Sequence, residues 1–380
     1  MSGRPDAADA GSREGANDRG PAGRTKPVAL AAALACATLM LPVAGCAPVD
    51  ANQGRDVDVL TIGAYSVVRE ALHQGLLPAF AAKWKAKTGR VVRFEESYNA
   101  SGAQSRAIAS GFDADIAILS LESDVDNLVK AGLVDKTWKD GPGKGMVTRS
   151  LVVIGVRPGN PKKIAVWDDL AKPDVSVLYP DPKTSGGARW NINAIYGAGM
   201  LREGKDKPDP AAAVDLLRRV QARVVNMDSS GRQSMATFER GTGDAVVTYE
   251  NELLLQDKLK GEAVPYVIPA STLQIESPAA IVEDSVKRHG NRKVAEAFLE
   301  YMRSDEGQDL LVDWGFRPLD PTRDRRPLPL KLFSMADLGG WPKIKKSVYD
   351  PGGVWDKLFT TKAPKTNDAP KRLGTGGRAG

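Results

Sequence analysis

Three short loops of similar composition stand where a strand pattern ends and a helical pattern begins. They are the segments 97–102 (SYNASG), 184–187 (TSGG) and 228–231 (DSSG). Serine and glycine at a helix start offer a hydroxyl and free backbone N–H groups, without side-chain bulk that would hold a ligand away. The first turn of a helix also carries a positive partial charge. These residues could therefore bind an anion.

The alternative is that each loop only caps its helix, and capping is the favoured interpretation for any one loop taken alone. Three such loops at one edge of their sheets favour a binding site in a cleft. Asp228 is the acid nearest to the predicted donors, and its spacing from the following helix start indicates an N-cap. We therefore expect a site without a carboxylate.

Catalytic groups are missing from these loops. The two histidines, His73 and His289, fall in helical patterns away from the loops and are interpreted as surface or packing residues. The sequence has no HExxH motif, Cys/His metal cluster or G-x-S-x-G motif, and its Gly186-Gly187 pair lacks the Gly-Lys-Ser/Thr ending of a P-loop. We predict a binding protein that has no metal and no cofactor, in preference to a hydrolase of anions.

The elements that must position the loops alternate between strand and helix. Strand pattern 57–64, for example, leads into a helical pattern at 68–87, and a second series of the same kind begins at 175–179. This alternation predicts an α/β fold with a mostly parallel sheet flanked by helices. A strand at 264–269 is expected to cross between the two series.

The length of 380 residues predicts two lobes, because it exceeds one ordinary core. We assign residues 57–148 and 265–355 to the first lobe and residues 149–264 to the second. The helical patterns after Asn291 and Ser304 are expected to return to the first lobe. Two crossings would then hinge the lobes.

Both ends of the chain differ from the rest. Residues 1–45 resemble a signal peptide whose uncharged run 28–43 is shorter than the roughly 20 apolar residues of a membrane span. The run leads into VAGC, which resembles a lipobox, so Cys46 would become the lipidated first residue of the mature protein. The alternative is an ordinary residue after a simple secretion site. Residues 360–380 are rich in Lys, Thr, Pro and Gly and are predicted to be disordered.

The charge of the chain argues against a nucleic-acid partner. The net charge is +6, and the basic residues are mostly scattered along the chain. A solvated face and a solvated tail account for the two basic clusters that occur.

Several longer motifs closely resemble the prokaryotic sulfate-binding protein family, including its thiosulfate-binding members. The resemblance spans about residues 57–355. The motifs are NPK at 160–162, WDDL at 167–170, PDPKTSGGARWN at 180–191, FERG at 238–241, ENE at 250–252, EGQ at 306–308 and GGW at 339–341. It implies a two-lobed periplasmic-binding-protein fold of type II, with a ligand cleft between the lobes. It also implies a monomer, anchored outside the cytoplasm, that passes sulfate to the membrane permease of an ABC importer.

The resemblance also implies which groups donate hydrogen bonds to sulfate. They are the hydroxyls of Ser101 and Ser185, together with the backbone amides of Gly186, Gly187 and Gly231. The amide at position 231 belongs to an alanine in better-known members, and a backbone donor should survive that change.

Two positions depart from the family pattern. Ser66 stands where many members have Asp, but the family uses the main-chain N–H there. Tyr249 stands where the family has a Trp whose indole N–H binds sulfate. A phenol can donate as well, but it reaches differently and can also accept a hydrogen bond. This exchange bears on ligand preference.

Hydrogen bonding alone separates sulfate from phosphate. Sulfate carries no proton at neutral pH and only accepts hydrogen bonds, whereas phosphate still carries a proton that needs an acceptor. A site made only of donors therefore rejects phosphate, at about 1–3 kcal/mol for each unpaired buried group. Thiosulfate remains an alternative ligand, and molybdate and tungstate are disfavoured because the matched motifs belong to the sulfate group.

Overall fold

The computed structural model of the chain describes residues 56–202 and 207–360. The predicted signal peptide, Cys46 and all but the first residue of the predicted disordered tail lie outside the described residues. Within the described part, none of the helices combines the length and the apolar character that a membrane crossing requires.

In the described part of the chain, ten strands form one mixed sheet. They are β1 (Val57–Tyr65), β2 (Val91–Asn99), β3 (Ile116–Ile118), β4 (Met146–Val156), β5 (Val177–Leu178), β6 (Val224–Asn226), β7 (Ala245–Tyr249), β8 (Tyr266–Val267), β9 (Ser271–Ile281) and β10 (Lys331–Phe333). The order across the sheet is β2-β1-β3-β9-β4-β7-β5-β6, with β8 beside β4 and β10 beside β9. Strands β9 and β4 thus lie in the middle, between β3 and β7.

Helices follow most of the strands. They are α1 (Leu77–Thr88), α2 (Ser101–Ala109), α3 (Glu122–Lys130), α4 (Gly186–Met200), α5 (Pro210–Gln221), α6 (Gly231–Glu239), α7 (Glu250–Lys260), α8 (Glu283–His289), α9 (Arg292–Arg303), α10 (Asp305–Asp313), α11 (Gly340–Ile344) and α12 (Val354–Thr360). Short 3₁₀ and π-helical turns occupy Ser66–Val68, Ala71–Leu76, Pro142–Gly145, Trp167–Ala171, Pro321–Arg323 and Lys345–Tyr349.

The prediction of a mostly parallel sheet is confirmed at both ends of the sheet and is wrong in its middle. β1 pairs parallel with β2 and β3, and β5 pairs parallel with β6 and β7. β4 and β9, however, run antiparallel to each other and to their outer neighbours. All eleven residues of β4 are buried, as expected for a strand covered on both faces.

The predicted crossing strand at 264–269 is misplaced. The structure has only the two-residue β8 there, and the long strand is β9, Ser271–Ile281. Its sequence STLQIESPAAI contains Pro278, which argues against a central strand because proline cannot donate to the ladder. Pro278 is accommodated opposite Met146, where the β4–β9 register shifts.

Helix α4 is buried over almost its whole length, and glycines allow its neighbours to approach. A side chain at Gly199 would come within 2.7 Å of the Ala213 backbone of α5. One at Gly197 would collide with the Phe333 ring. This close packing fixes the axis of α4 and hence the position of its N-terminus.

Candidate anion-binding site

Ser101 is the first residue of α2, and only 2% of it is exposed. Its hydroxyl donates to Asp124 Oδ2 at 2.5 Å and accepts a hydrogen bond from the backbone N–H of Ser120 at 2.9 Å. The hydroxyl proton is thus directed at a carboxylate. The backbone N–H of Ser101, at the start of a helix, needs a partner from outside that helix.

Ser185 is the N-cap of α4, and Gly186 and Gly187 form its first turn. Ser185 Oγ accepts a hydrogen bond from Ala188 N at 3.3 Å, so the lone pairs of this hydroxyl serve the cap and its proton can be donated elsewhere. Two backbone amides and one hydroxyl therefore converge at the positive end of a long buried helix.

The starts of α2 and α4 face each other. A side chain at Gly186 would lie 2.9 Å from Ser120 Oγ and 3.0 Å from Ser101 Cβ. One at Gly187 would lie 3.4 Å from Tyr249 Cε1. The structure therefore brings the predicted residues of two separate loops, and Tyr249 at the end of β7, into one buried cluster.

Tyr249 is 2% exposed, and its Oη lies 2.7 Å from Ser120 Oγ. Burial raises the pKa of the Tyr249 phenol well above its ordinary value. The side chain is therefore neutral at physiological pH and keeps a proton that it can donate.

The segments that contain Ser66 and Gly231 lie against each other at a second place. Ser66 opens the 3₁₀ turn after β1, and Gly231 opens α6. A side chain at Gly231 would lie 3.4 Å from Val67 Cγ2, so these two backbone segments are neighbours. The two places are also near each other, because Thr184 Oγ1, in the loop before α4, donates to the carbonyl oxygen of Ser229, in the loop before α6, at 2.9 Å.

Two acidic residues differ from expectation. Ser230, not Asp228, is the N-cap of α6, because Ser230 Oγ accepts from Gln233 N. Asp228 instead accepts hydrogen bonds from the hydroxyls of Ser234 and Thr237 inside α6. The carboxylate in contact with a predicted site residue is that of Asp124.

The pKa of Asp124 is raised above its ordinary value, because burial has the largest effect. The Ser101 hydroxyl and the charges of Arg189 and Arg106 lower it by less. Those arginines and Asp124 line a cavity of about 130 Å³ beside the cluster, together with residues of both loops. A larger cavity, of about 1010 Å³, contains none of the predicted site residues. Its lining is drawn mainly from α8, α9 and the turn between them.

Sequence reasoning missed Ser120 and Asp124. Ser120 follows β3 closely, so it lies at the same kind of strand end as the predicted loops, but its segment lacks the glycine that marked them. Asp124 lies in the first turn of α3, as acidic residues commonly do. Only the opposed helix starts reveal that both face the cluster. No three His, Cys, Asp or Glu side chains within residues 56–202 and 207–360 are grouped so as to hold a metal ion.

The chain has clear relatives. Residues 60–317 match the family model described as bacterial extracellular solute-binding protein. The sulfate-binding protein of Synechococcus elongatus is 38% identical over 339 residues, which are 86% of this chain and 94% of the relative. A thiosulfate-binding protein of Pseudomonas aeruginosa is 33% identical over 307 residues, 78% of this chain and 91% of that relative.

A solved structure agrees. The sulfate-binding protein SubI from Mycobacterium tuberculosis superposes with a TM-score of 0.70 at 36% sequence identity, covering 77% of this chain and 100% of that one. These relatives are binding proteins, which confirms the interpretation as a binding protein rather than an enzyme. The chain belongs to the family of sulfate- and thiosulfate-binding proteins, within the bacterial extracellular solute-binding proteins, and has their two-lobed α/β fold.

Proposed function

We propose that this protein captures sulfate outside the cytoplasm and delivers it to the permease of an ABC importer. The observation that carries the proposal is the convergence of helix starts. The first turns of α2 and α4 meet in a buried cluster, and that of α6 lies nearby against the turn at Ser66–Val68. Free amides at several helix starts stabilise an anion without any cation in direct contact.

The donors we propose are the amides of Ser66, Gly186, Gly187 and Gly231, with the Ser185 hydroxyl, the Tyr249 phenol and a group of Ser101. At Ser101 we propose the backbone N–H, because its hydroxyl proton is held by Asp124. Each buried hydrogen bond to a charged group contributes about 1.5–3 kcal/mol. A handful of them is enough for tight binding of a dianion.

Thiosulfate is the second candidate. The observation that favours it is Tyr249, which stands where the family has an indole donor and is itself held by Ser120. A change at one donor could admit a larger, softer sulfur atom at that point of the site. The thiosulfate-binding relative makes this ligand a reasonable competitor.

A titration of residues 47–380 tests the proposal. Calorimetry with sulfate, thiosulfate, phosphate and molybdate should show sulfate, or thiosulfate, bound far more tightly than the other two. Phosphate serves as the matched control, since it is tetrahedral and differs by its proton. No heat change with sulfate or thiosulfate at millimolar concentrations would refute the proposal.

We also propose that Cys46 is lipidated and tethers a monomeric protein to the outer face of the cell membrane. The support is the VAGC sequence, together with membership of an extracellular family. In cells, Cys46→Ala should move the protein from the membrane fraction to the soluble fraction. Equal membrane retention of both forms would contradict lipidation, while calorimetry of the soluble variant would still test sulfate binding.

A further inference from the structure

Ser120 lies at the centre of the cluster although no sequence motif marks it. It is 1% exposed and stands between the loop that begins α2 and the residues that begin α4. Its backbone N–H donates to Ser101 Oγ, and its carbonyl oxygen accepts from Trp190 Nε1 at 2.9 Å. The backbone of Ser120 is therefore hydrogen-bonded to residues at the starts of both α2 and α4. Its hydroxyl is not needed for these two bonds.

The hydroxyl of Ser120 has two polar neighbours. Trp190 Nε1 lies 3.1 Å from Oγ, and Tyr249 Oη lies 2.7 Å from it. An indole N–H can only donate, so it occupies one lone pair of Oγ. Within the described part of the chain, Tyr249 Oη is then the acceptor that remains for the Ser120 proton.

A hydrogen bond from Ser120 to Tyr249 fixes the direction of the phenolic proton. With one lone pair of Oη occupied by Ser120, the Tyr249 O–H points away from Ser120. Tyr249 Oη lies 3.8 Å from the point where a Cβ atom on Gly187 would stand, beside the first turn of α4. The phenolic proton can therefore point toward an anion held by the amides of that turn.

We propose that Ser120 is a positioning residue for anion binding: it donates to Tyr249 Oη and thereby turns the phenolic proton toward the bound anion. This inference rests on the proposed function. It explains how a phenol, which can donate or accept, acts as a donor where the family has an indole. Without the Ser120 proton, the Tyr249 hydroxyl can turn either its proton or a lone pair toward the ligand. A lone pair that faces a dianion is repelled by it.

A double-mutant cycle tests the proposal. Ser120→Ala removes only the hydroxyl and leaves the backbone bonds to Ser101 and Trp190 in place. Loss of one directed hydrogen bond should weaken sulfate binding about tenfold in the Tyr249 protein. In a Tyr249→Phe background the same change should alter affinity less than about twofold, because no phenol remains to be directed.

A Tyr249→Trp background tests whether an indole donor makes the Ser120 hydroxyl unnecessary. An indole needs no partner to direct its proton, so Ser120→Ala combined with Tyr249→Trp should bind sulfate about as tightly as Tyr249→Trp alone. Equal losses from Ser120→Ala in all three backgrounds would overturn the proposal, since Ser120 would then contact the anion itself or act only on stability. Unchanged affinity in the Tyr249 protein would overturn it as well.

Two controls keep the outcome interpretable. Ser285→Ala removes another buried hydroxyl, which donates to Asp113 Oδ1 at 2.7 Å, and should lower the melting temperature without changing sulfate affinity. Ser120→Cys keeps the shape and offers a weak donor, so it should show an intermediate loss if Ser120→Ala does not fold. Failure of the unsubstituted protein to bind sulfate is the separate result that rejects the proposed function.

Discussion

Two glycines of the proposed site, Gly186 and Gly231, differ in how closely other residues pack against them. Gly186 is packed against Ser120 and Ser101, whereas a side chain at Gly231 would make only one ordinary contact, with Val67 at 3.4 Å. Both positions keep their N–H if alanine replaces glycine. Alanine favours helices over glycine by about 1 kcal/mol, but forced overpacking costs about 1–3 kcal/mol.

We therefore expect Gly186→Ala to weaken sulfate binding at least tenfold and to lower stability. Gly231→Ala should leave affinity within about twofold and stability unchanged or slightly higher. Calorimetry and thermal melting measure both. Similar behaviour of the two variants would show that the close approach of α2 and α4 is not part of the site.

A buried carboxylate makes stability depend on pH. Burial raises the pKa of Glu252 to about 7, although the charge of Arg232 lowers it; Glu70 and Glu239 raise it further. In the unfolded chain the ordinary value is 4.5. Between these values the native state holds a proton that the unfolded state has released. The contribution of Glu252 to stability therefore falls as the pH rises from about 4.5 to about 7.

Glu252→Gln removes this contribution. The melting temperature of the variant, relative to that of the unsubstituted protein, should rise as the pH is raised from 5 to 8. Glu300→Gln, at an exposed position, is the control and should show a smaller change. A pH-independent difference for Glu252→Gln would mean that this carboxyl does not titrate in that range.

At the residue level, the pattern of strand ends indicated the loops 97–102 and 184–187, because serine and glycine before a helix have a local signature. The resemblance to the family then implied Ser101, Ser185 and the glycines beside it as the donors. Ser120 and Asp124 have no such signature. Their roles depend on which helix starts face each other across the sheet, and that is decided by packing between segments far apart in sequence.

At the scale of elements, one side chain ties three of them together. The guanidinium of Arg232, in the first turn of α6, contacts Glu70 at 2.6 Å and Glu252 at 3.0 Å. Glu70 lies just before the π-helical turn Ala71–Leu76, and Glu252 lies in the first turn of α7. Salt bridges with both carboxylates therefore join the starts of α6 and α7 to the turn after β1.

At pH 8, where Glu252 is ionised, Arg232→Ala should destabilise the protein by about 3 kcal/mol, because it leaves two neighbouring carboxylates, one of them fully buried, without a cation. Arg219→Ala is the matched control. Its ion pairs with Asp168 and Asp215 are exposed and should contribute less than about 1 kcal/mol. Urea unfolding measures the difference, and equal effects would refute a special role for Arg232.

Periodicity predicted β1, the helical segment that ends with α1, and β5 to within a few residues at their ends. It failed where the local signal was weak. β9 carries a proline and several polar residues, and α7 follows β7 without an intervening loop. In both cases long-range pairing or packing decides the structure, and a local pattern cannot report it.

At the scale of the whole molecule, Trp190 reports on the junction of the two halves of the sheet. Its indole donates to Ser120 O and Oγ and packs edge-on against Trp341 at 4.9 Å between ring centres. Sulfate should therefore shift the tryptophan emission, and Trp190→Phe should remove most of that shift. Trp84→Phe, where the indole donates to Asp58, should preserve it. Loss of signal in both variants would argue against a local change at this junction.

The pairing of β4 with β9 has a mechanical consequence. These strands are hydrogen-bonded to each other from Leu151–Gln274 to Met146–Pro278, and they lie side by side between the outer groups of strands. Any movement that parts those groups must bend both strands together, because shear would break their ladder. We therefore expect such a movement to be a concerted bend of the two strands. The dissociation rate of a bound anion would then be set by the rate of this bending motion, regardless of which hydrogen bond to the anion breaks first.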